Sequence, residues 1–176
     1  RQQEAVDSFY PGRRSLIKAC PRFGKIKVSL DIFKKLNVKK ALICLPRVDI
    51  QKSWIDDAKK WGWEGELIFT THRSMEKIAK LHEVDITVID EIHECSVNQL
   101  KVIENFTGEI LALSGTVTYK TETEIATYAD IYSCYEYDID QGVREGILSD
   151  YEIIIHTVPL SIYEKGKWNY MEKLTK

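Results

Sequence analysis

Ser15-Leu16-Ile17-Lys18-Ala19-Cys20-Pro21-Arg22-Phe23-Gly24-Lys25-Ile26 is the stretch on which the fold turns. Ser15 to Ala19 is short and apolar and reads as a buried strand, and Cys20-Pro21-Arg22-Phe23-Gly24 reads as the loop that leaves it. From Lys25 onward, Ile26, Leu30, Ile32, Phe33 and Leu36 recur at the spacing of an amphipathic helix. A strand, a loop ending in Gly-Lys and a helix that begins at once form a phosphate cradle. Main-chain N–H groups curl around the oxygens, the helix start adds its positive end, and Lys25 reaches the terminal phosphates. Taken alone, Gly-Lys before a helix is a weak signal. Ala19 stands where such loops usually have their first Gly, and Ile26 where they have Ser or Thr.

Working outward, the same alternation continues. Gln2 to Phe9 reads as a short helix stopped by Pro11-Gly12. Ala41 to Leu45 is a strand, followed by helical spacing over Val48 to Trp61. Leu67 to Phe69 is a strand, then Ser74 to Leu81 a helix with Ser74 at its N-cap. Ile86 to Ile89 is a strand, Val97 to Phe106 a helix, and Ile110 to Leu113 a strand. Strands this short and apolar, alternating with helices, predict an α/β fold: a mostly parallel sheet covered by helices on both faces. After Thr116 the pattern changes. Tyr119 to Tyr137 holds five of the nine tyrosines, expected to pack the segment that leaves the sheet. Ile139 to Ile147 could form a short helix, and Asp150 to Leu160 a strand of another kind.

The second informative stretch is Asp90-Glu91-Ile92-His93, at the end of the Ile86 to Ile89 strand. Two carboxylates at the carboxyl end of a buried parallel strand are costly unless they meet a metal or a positive ligand. Asp90 is placed to hold Mg²⁺ beside the phosphates, and Glu91 to orient and deprotonate an attacking water. The bland alternative is a solvated Asp-Glu turn.

Together these segments resemble the first RecA-like domain of superfamily 2 helicases and translocases of the DExH type, over residues 1–160. Gln2 in Arg1-Gln2-Gln3-Glu4-Ala5 is similar to the adenine-reading Q motif. Ala19 to Lys25 is similar to motif I, so Gln2, Pro21, Arg22, Phe23, Gly24, Lys25 and Ile26 are the implied nucleotide-binding residues. Leu45-Pro46-Arg47, with Gln51 and Trp54, resembles motif Ia, and Thr70-Thr71-His72-Arg73-Ser74 resembles motif Ib. Asp90 to His93 matches motif II, and Leu113-Ser114-Gly115-Thr116 resembles motif III. Gly142 to Tyr151 looks like the connector before a second motor domain in restriction-type and phage-type members.

The resemblance implies a RecA-like P-loop NTPase domain that uses ATP and Mg²⁺ to move on nucleic acid, with DNA favoured over RNA. Lys25, Asp90 and Glu91 would be catalytic, with Asp90 also the metal ligand. Pro46, Arg47, Thr70 and Thr71 would touch the strand backbone, a contact that carries position and not sequence. His93, Ser114 and Thr116 would couple the two sites. Residues 1–140 would form motor domain 1, and 141–176 the connector and the start of a second RecA-like domain absent from this chain. That second domain would supply the transition-state arginine, since residues 151–176 contain none. This stretch alone is then expected to bind nucleotide poorly and to unwind nothing. Ile26 departs from the pattern, because it has no oxygen to offer Mg²⁺, and predicts retained nucleotide binding with impaired Mg²⁺ use.

Two rival classes are a degenerate P-loop domain that binds without efficient hydrolysis, and a P-loop kinase or GTPase. Ile26 favours the first, whereas the Asp90-Glu91 pair opposes it. No guanine-reading Asn-Lys-x-Asp supports the second. Composition restricts the rest. The 176 residues carry 25 basic and 27 acidic groups, for a formal charge of −2, so no bulk positive field holds a polyanion. With 9 Gly and 4 Pro the chain is no linker. No apolar run approaches the roughly 20 residues of a membrane span. The chain does not begin with Met and shows no basic-then-apolar leader, so a piece of a longer cytoplasmic protein is expected, or one in the host-cell cytoplasm if phage-encoded. Four cysteines without a CxxC pair read as buried thiols. Trp54, Trp61 and Trp63 read as helix packing, and His72 as a surface or capping residue.

Overall fold

A computed structural model describes residues 1–78, 83–152 and Ile154. Six strands form one sheet: β1 (Ser15–Ala19), β2 (Lys40–Leu45), β3 (Glu66–Thr71), β4 (Ile86–Ile89), β5 (Glu109–Ser114) and β6 (Tyr132–Tyr137). Their order is β3-β2-β4-β5-β1-β6, and every pairing is parallel. Parallel neighbours need crossovers, which are supplied by α2 (Lys25–Lys35), α3 (Gln51–Lys60), α4 (Met75–Ile78), α5 (Val97–Val102) and α6 (Tyr119–Ala129). Two further helices, α1 (Gln2–Ser8) and α7 (Ile139–Arg144), flank the strands at either end of the chain.

Side chains alternate across each strand, and that alternation divides the apolar residues into two cores. On one face Ile17 and Ala19 of β1, Ala41, Ile43 and Leu45 of β2 and Leu111 and Leu113 of β5 meet Leu30, Phe33, Trp54 and Ala58. On the other Leu16, Leu42, Cys44, Ile110 and Ala112 meet Met75, Leu100, Ile103 and Ile125. Both faces are buried, and so the strands read as continuous apolar runs. Local chemistry sets several helix starts. Ser96 and Gln99 close a capping box on α5, and the Thr118 hydroxyl accepts from the Thr121 N–H at the head of α6.

Three boundaries differ from the sequence reading. The helical spacing from Val48 opens with a 3-10 turn before α3, and that from Val97 ends in one after α5. The tyrosine-rich segment is not merely packing for a departing chain: it contains α6 and the edge strand β6. The second half of the expected Ser74 helix lies outside the described residues, as does most of the expected Asp150 to Leu160 strand.

The short helix expected near Ile139 is α7, and it lies beside the loop that follows β1. Ile139, Ile147 and Leu148 pack on the first core. Gly142 lets this happen: a Cβ there would stand 2.9 Å from the Cys20 Sγ and 3.1 Å from Leu148 Cδ1. The segment that follows β6 therefore folds back onto the first core. No helix among the described residues is long and apolar enough to cross a membrane.

Candidate active site

At the carboxyl edge of the sheet, β5 lies between β1 and β4. The loop after β1, the acidic turn after β4 and Ser114-Gly115 at the end of β5 therefore converge on one spot, the usual position for a ligand in an open α/β sheet. The first of these loops is held from below. The Cys20 N–H continues the ladder to the Tyr137 carbonyl at 3.0 Å, and the Phe23 ring is buried against Tyr137 and Tyr135, with centroids 4.9 and 5.8 Å away. Pro21 and Arg22 stay exposed at the turn, where Arg22 adopts a φ of 63°. Gly24 is left-handed at φ 91°, and a Cβ there would come within 2.5 Å of the Gln2 Nε2. Only glycine gives the loop both that turn and that close approach. The Gln2 amide donates to the Phe23 carbonyl at 2.7 Å, tying α1 to the loop.

Lys25 begins α2, and its ammonium, 15% exposed, reaches the Glu91 Oε1 at 3.0 Å. It also donates to the Ala19 carbonyl at 3.5 Å. Glu91 holds a left-handed backbone, φ 49° and ψ 52°, a conformation that costs about 1 kcal/mol or more in a non-glycine residue. In that conformation its other carboxylate oxygen accepts the Gly115 N–H at 3.2 Å, with the His93 Nδ1 at 3.5 Å. His93 Nδ1 and the Ser114 hydroxyl are 2.7 Å apart, and Ser114 donates on to the Thr116 carbonyl at 3.2 Å. Lys25 and Glu91 thus form an ion pair, His93 lies within 3.5 Å of the same carboxylate, and the His93–Ser114 hydrogen bond continues from there. Thr116 takes part through its main chain, while its side chain is exposed.

Asp90 sits deeper, at 6% exposure. The turn is therefore not a solvated one. Burial raises the Asp90 pKa, with the Trp54 hydrogen bond acting against it. That bond runs from the indole Nε1 of a fully buried Trp54 to the Asp90 Oδ2 at 3.2 Å. The Asp90 carbonyl accepts from His72 Nε2 at 2.9 Å; because a carbonyl only accepts, the ring carries its proton on Nε2. His72 is 5% exposed and not a surface residue, and burial lowers its pKa. Neither Trp54 nor His72 shows this role in the sequence, since each partner is a residue far along the chain.

The loop and the acidic turn fit a nucleotide triphosphate with its metal in their donor set. Lys25, Gly24 and the start of α2 present positive character, and Asp90 and Glu91 present two carboxylates beside it. Ile26 contributes no oxygen; it packs against the first core. Ser29, one turn on, is buried and donates to the Lys25 carbonyl at 3.0 Å, so it does not replace the missing hydroxyl.

The expected strand-contacting residues lie beyond Trp54 on the same edge. Leu45, Val48, Gln51, Phe69, Thr70, Thr71 and Ser74 line a groove of about 250 Å³. Thr71 donates to the Ser74 hydroxyl at 3.4 Å, and Thr70 is nearly buried at 8% exposure. Pro46 is half-buried and does not line the groove, and Arg47 points to solvent, 3.7 Å from Asp49.

No protein-family model matches this chain, and no curated protein matches it in sequence. Among solved structures, it is similar to the helicase domain of Pyrococcus furiosus Hef, with a TM-score of 0.58 at 14% identity. The match covers 80% of this chain and 37% of that one. The likeness is of fold: the six-stranded parallel sheet is that of a helicase RecA-like domain.

Proposed function

We propose that this chain is the first RecA-like motor domain of a superfamily 2, DExH-type helicase or translocase, binding ATP and Mg²⁺ and acting on nucleic acid, with DNA favoured over RNA. The observation that carries the reading is the meeting of Lys25 and Glu91 at 3.0 Å, with Gly115 and Ser114 wedged beside them. An ion pair between these two groups marks where a γ-phosphate would enter. The phosphate would take the lysine, and the freed carboxylate would face its attacking water.

In this reading Gly24, Lys25 and the start of α2 bind the phosphates, Gln2 borders the base, and Asp90 holds the metal. Mg²⁺, when bound, supplies charge neutralisation between the β- and γ-phosphates. Glu91 takes the proton from water. Its neighbour His93, 3.5 Å from the carboxylate, and the Ser114 hydroxyl bonded to His93 register the change. Nucleic acid would lie over Pro46, Arg47, Thr70 and Thr71, held by main-chain donors and small hydroxyls, which suits a chain with no net positive charge. Residues 141–176 then lead into a second RecA-like domain, whose arginine completes the transition state.

Ile26 favours one second reading, a P-loop domain that binds nucleotide or strand and turns it over poorly. A fluorescent ATP analogue separates the two. Lys25→Ala should abolish its binding. Glu91→Gln should keep binding but lower strand-stimulated hydrolysis by about 10²–10⁴-fold in a protein carrying both motor domains. Hydrolysis equally slow before and after Glu91→Gln would select the second reading, and binding untouched by Lys25→Ala would refute both.

A further inference from the structure

The groove and the acidic turn are physically joined by two buried side chains that belong to neither. Trp54 rises from α3, whose first turn places Gln51 in the groove wall. His72 follows Thr70 and Thr71, which line the opposite wall. Each sends one hydrogen bond to the same residue. Trp54 grips the Asp90 carboxylate at 3.2 Å, and His72 the Asp90 main-chain carbonyl at 2.9 Å. The His72 N–H itself is anchored to the Leu45 carbonyl at 2.9 Å, beside the other wall of the groove. Trp54 and His72 are 0% and 5% exposed. Both side chains are packed in the interior, and packed interiors pass on small displacements instead of absorbing them.

From this we infer that Trp54 and His72 are positioning residues that couple occupancy of the groove by a single strand to the placement of the Asp90 carboxylate. The inference rests on the proposed motor reading and extends it with a second coupling route, separate from the one through Ser114. A strand segment that spreads α3 from the β3–α4 loop pulls on Trp54 and His72 in different directions. Asp90 then turns, since its side chain follows one partner and its backbone the other. Linkage requires the reverse as well: a metal drawing on Asp90 reshapes the groove, and the two affinities change by the same factor.

The test uses ¹⁵N-labelled chain, whose Trp54 indole signal is assigned by its loss in Trp54→Phe. A short oligothymidylate is titrated with and without Mg²⁺ and a non-hydrolysable ATP analogue. The strand should move the Trp54 indole signal together with the Thr70 and Thr71 amides, and its affinity should differ by about fivefold or more between the two conditions. In Trp54→Phe and His72→Leu that ratio should fall toward one. In His72→Gln, which retains an N–H donor, the ratio should persist. If these residues serve only as packing, the variants would lose stability and leave the ratio unchanged, which overturns the inference. So does a strand that shifts the Thr70 and Thr71 amides while the Trp54 indole stays still. In both of those outcomes the motor reading survives. Because the chain alone is expected to bind weakly, failure of wild-type chain to bind the Mg²⁺-nucleotide even at saturating millimolar concentration would bring down that reading, and this inference with it.

Discussion

Isoleucine at position 26 is where a single side chain bears most on the chemistry. It stands one residue after Lys25, on the first turn of α2, where a hydroxyl would face the metal. Instead its side chain turns to the core. Ser29 cannot compensate, because its hydroxyl is committed to the Lys25 carbonyl. In the proposed reading Asp90 is then left as the main fixed metal ligand, and its burial already opposes carrying charge. Ile26→Thr should raise Mg²⁺-dependent ATP turnover in a protein with both motor domains. The gain should be on the order of tenfold or more, the scale on which even outer-shell metal contacts act. A titration of Mg²⁺ against rate reads this directly, as a lower half-saturating concentration. Identical curves for the two proteins would mean that position 26 does not limit metal use.

Among the elements, the joints between strands and helices carry the site, and two of them can be tested. Asp85 precedes β4 and accepts the N–H groups of Lys39 and Lys40, at the start of β2, at 2.7 and 2.9 Å. These bonds hold its pKa below the ordinary carboxylate value. A carboxylate so depressed stabilises the fold above the unfolded value, near pH 4, and loses that effect as pH falls through the lower folded value. Asp85→Asn should therefore cost up to about 1 kcal/mol at neutral pH, the side chain being exposed. The gap from wild type should close in urea melts below pH 4. The second joint is α7 against the loop after β1. Gly142→Ala gains helix propensity of about 1 kcal/mol, but its methyl would enter space held by Cys20 and Leu148, and overpacking costs about 1–3 kcal/mol. A net loss of thermal stability is expected, with weaker nucleotide binding as the loop shifts. An unchanged melting temperature would contradict tight packing of α7 on Cys20 and Leu148.

Which elements could be read beforehand follows from the same physics. β1, β2, β4 and β5 are buried on both faces, so their apolar runs stood out, and the Gly-Lys loop and acidic turn fell at their ends. β6, Tyr-Ser-Cys-Tyr-Glu-Tyr, is an edge strand with polar and half-exposed positions, so it carries no such run. The tyrosines that define it looked like packing because one of them, Tyr137, is in fact core. Trp54 and His72 were visible as residues but not as partners of Asp90. Helical periodicity places Trp54 in a core and is silent on what its N–H meets, and nothing local to His72 signals its burial. Hydrogen bonds between distant segments arise from the topology that sets β2, β3 and β4 side by side.

For the whole molecule, the strand order decides more than any motif. Placing β5 between β1 and β4 forces a third loop between lysine and carboxylates. In the proposed reading the nucleotide state would reach Ser114 through that loop, while Trp54 of α3 and His72 of the β3–α4 loop bond Asp90 from the far side. The chain spans 37% of the Hef helicase-domain structure it matches, and in the proposed reading the remaining parts of the motor lie in a second domain. In that reading this chain's own part is to gather its two loops around one triphosphate, however weakly. A crystal structure of the chain with Mg²⁺ and a non-hydrolysable ATP analogue tests that most directly. The γ-phosphate should lie between Lys25 and Glu91, their 3.0 Å ion pair broken, with the metal against Asp90. An intact Lys25–Glu91 pair, with the analogue bound elsewhere on the sheet, would contradict it.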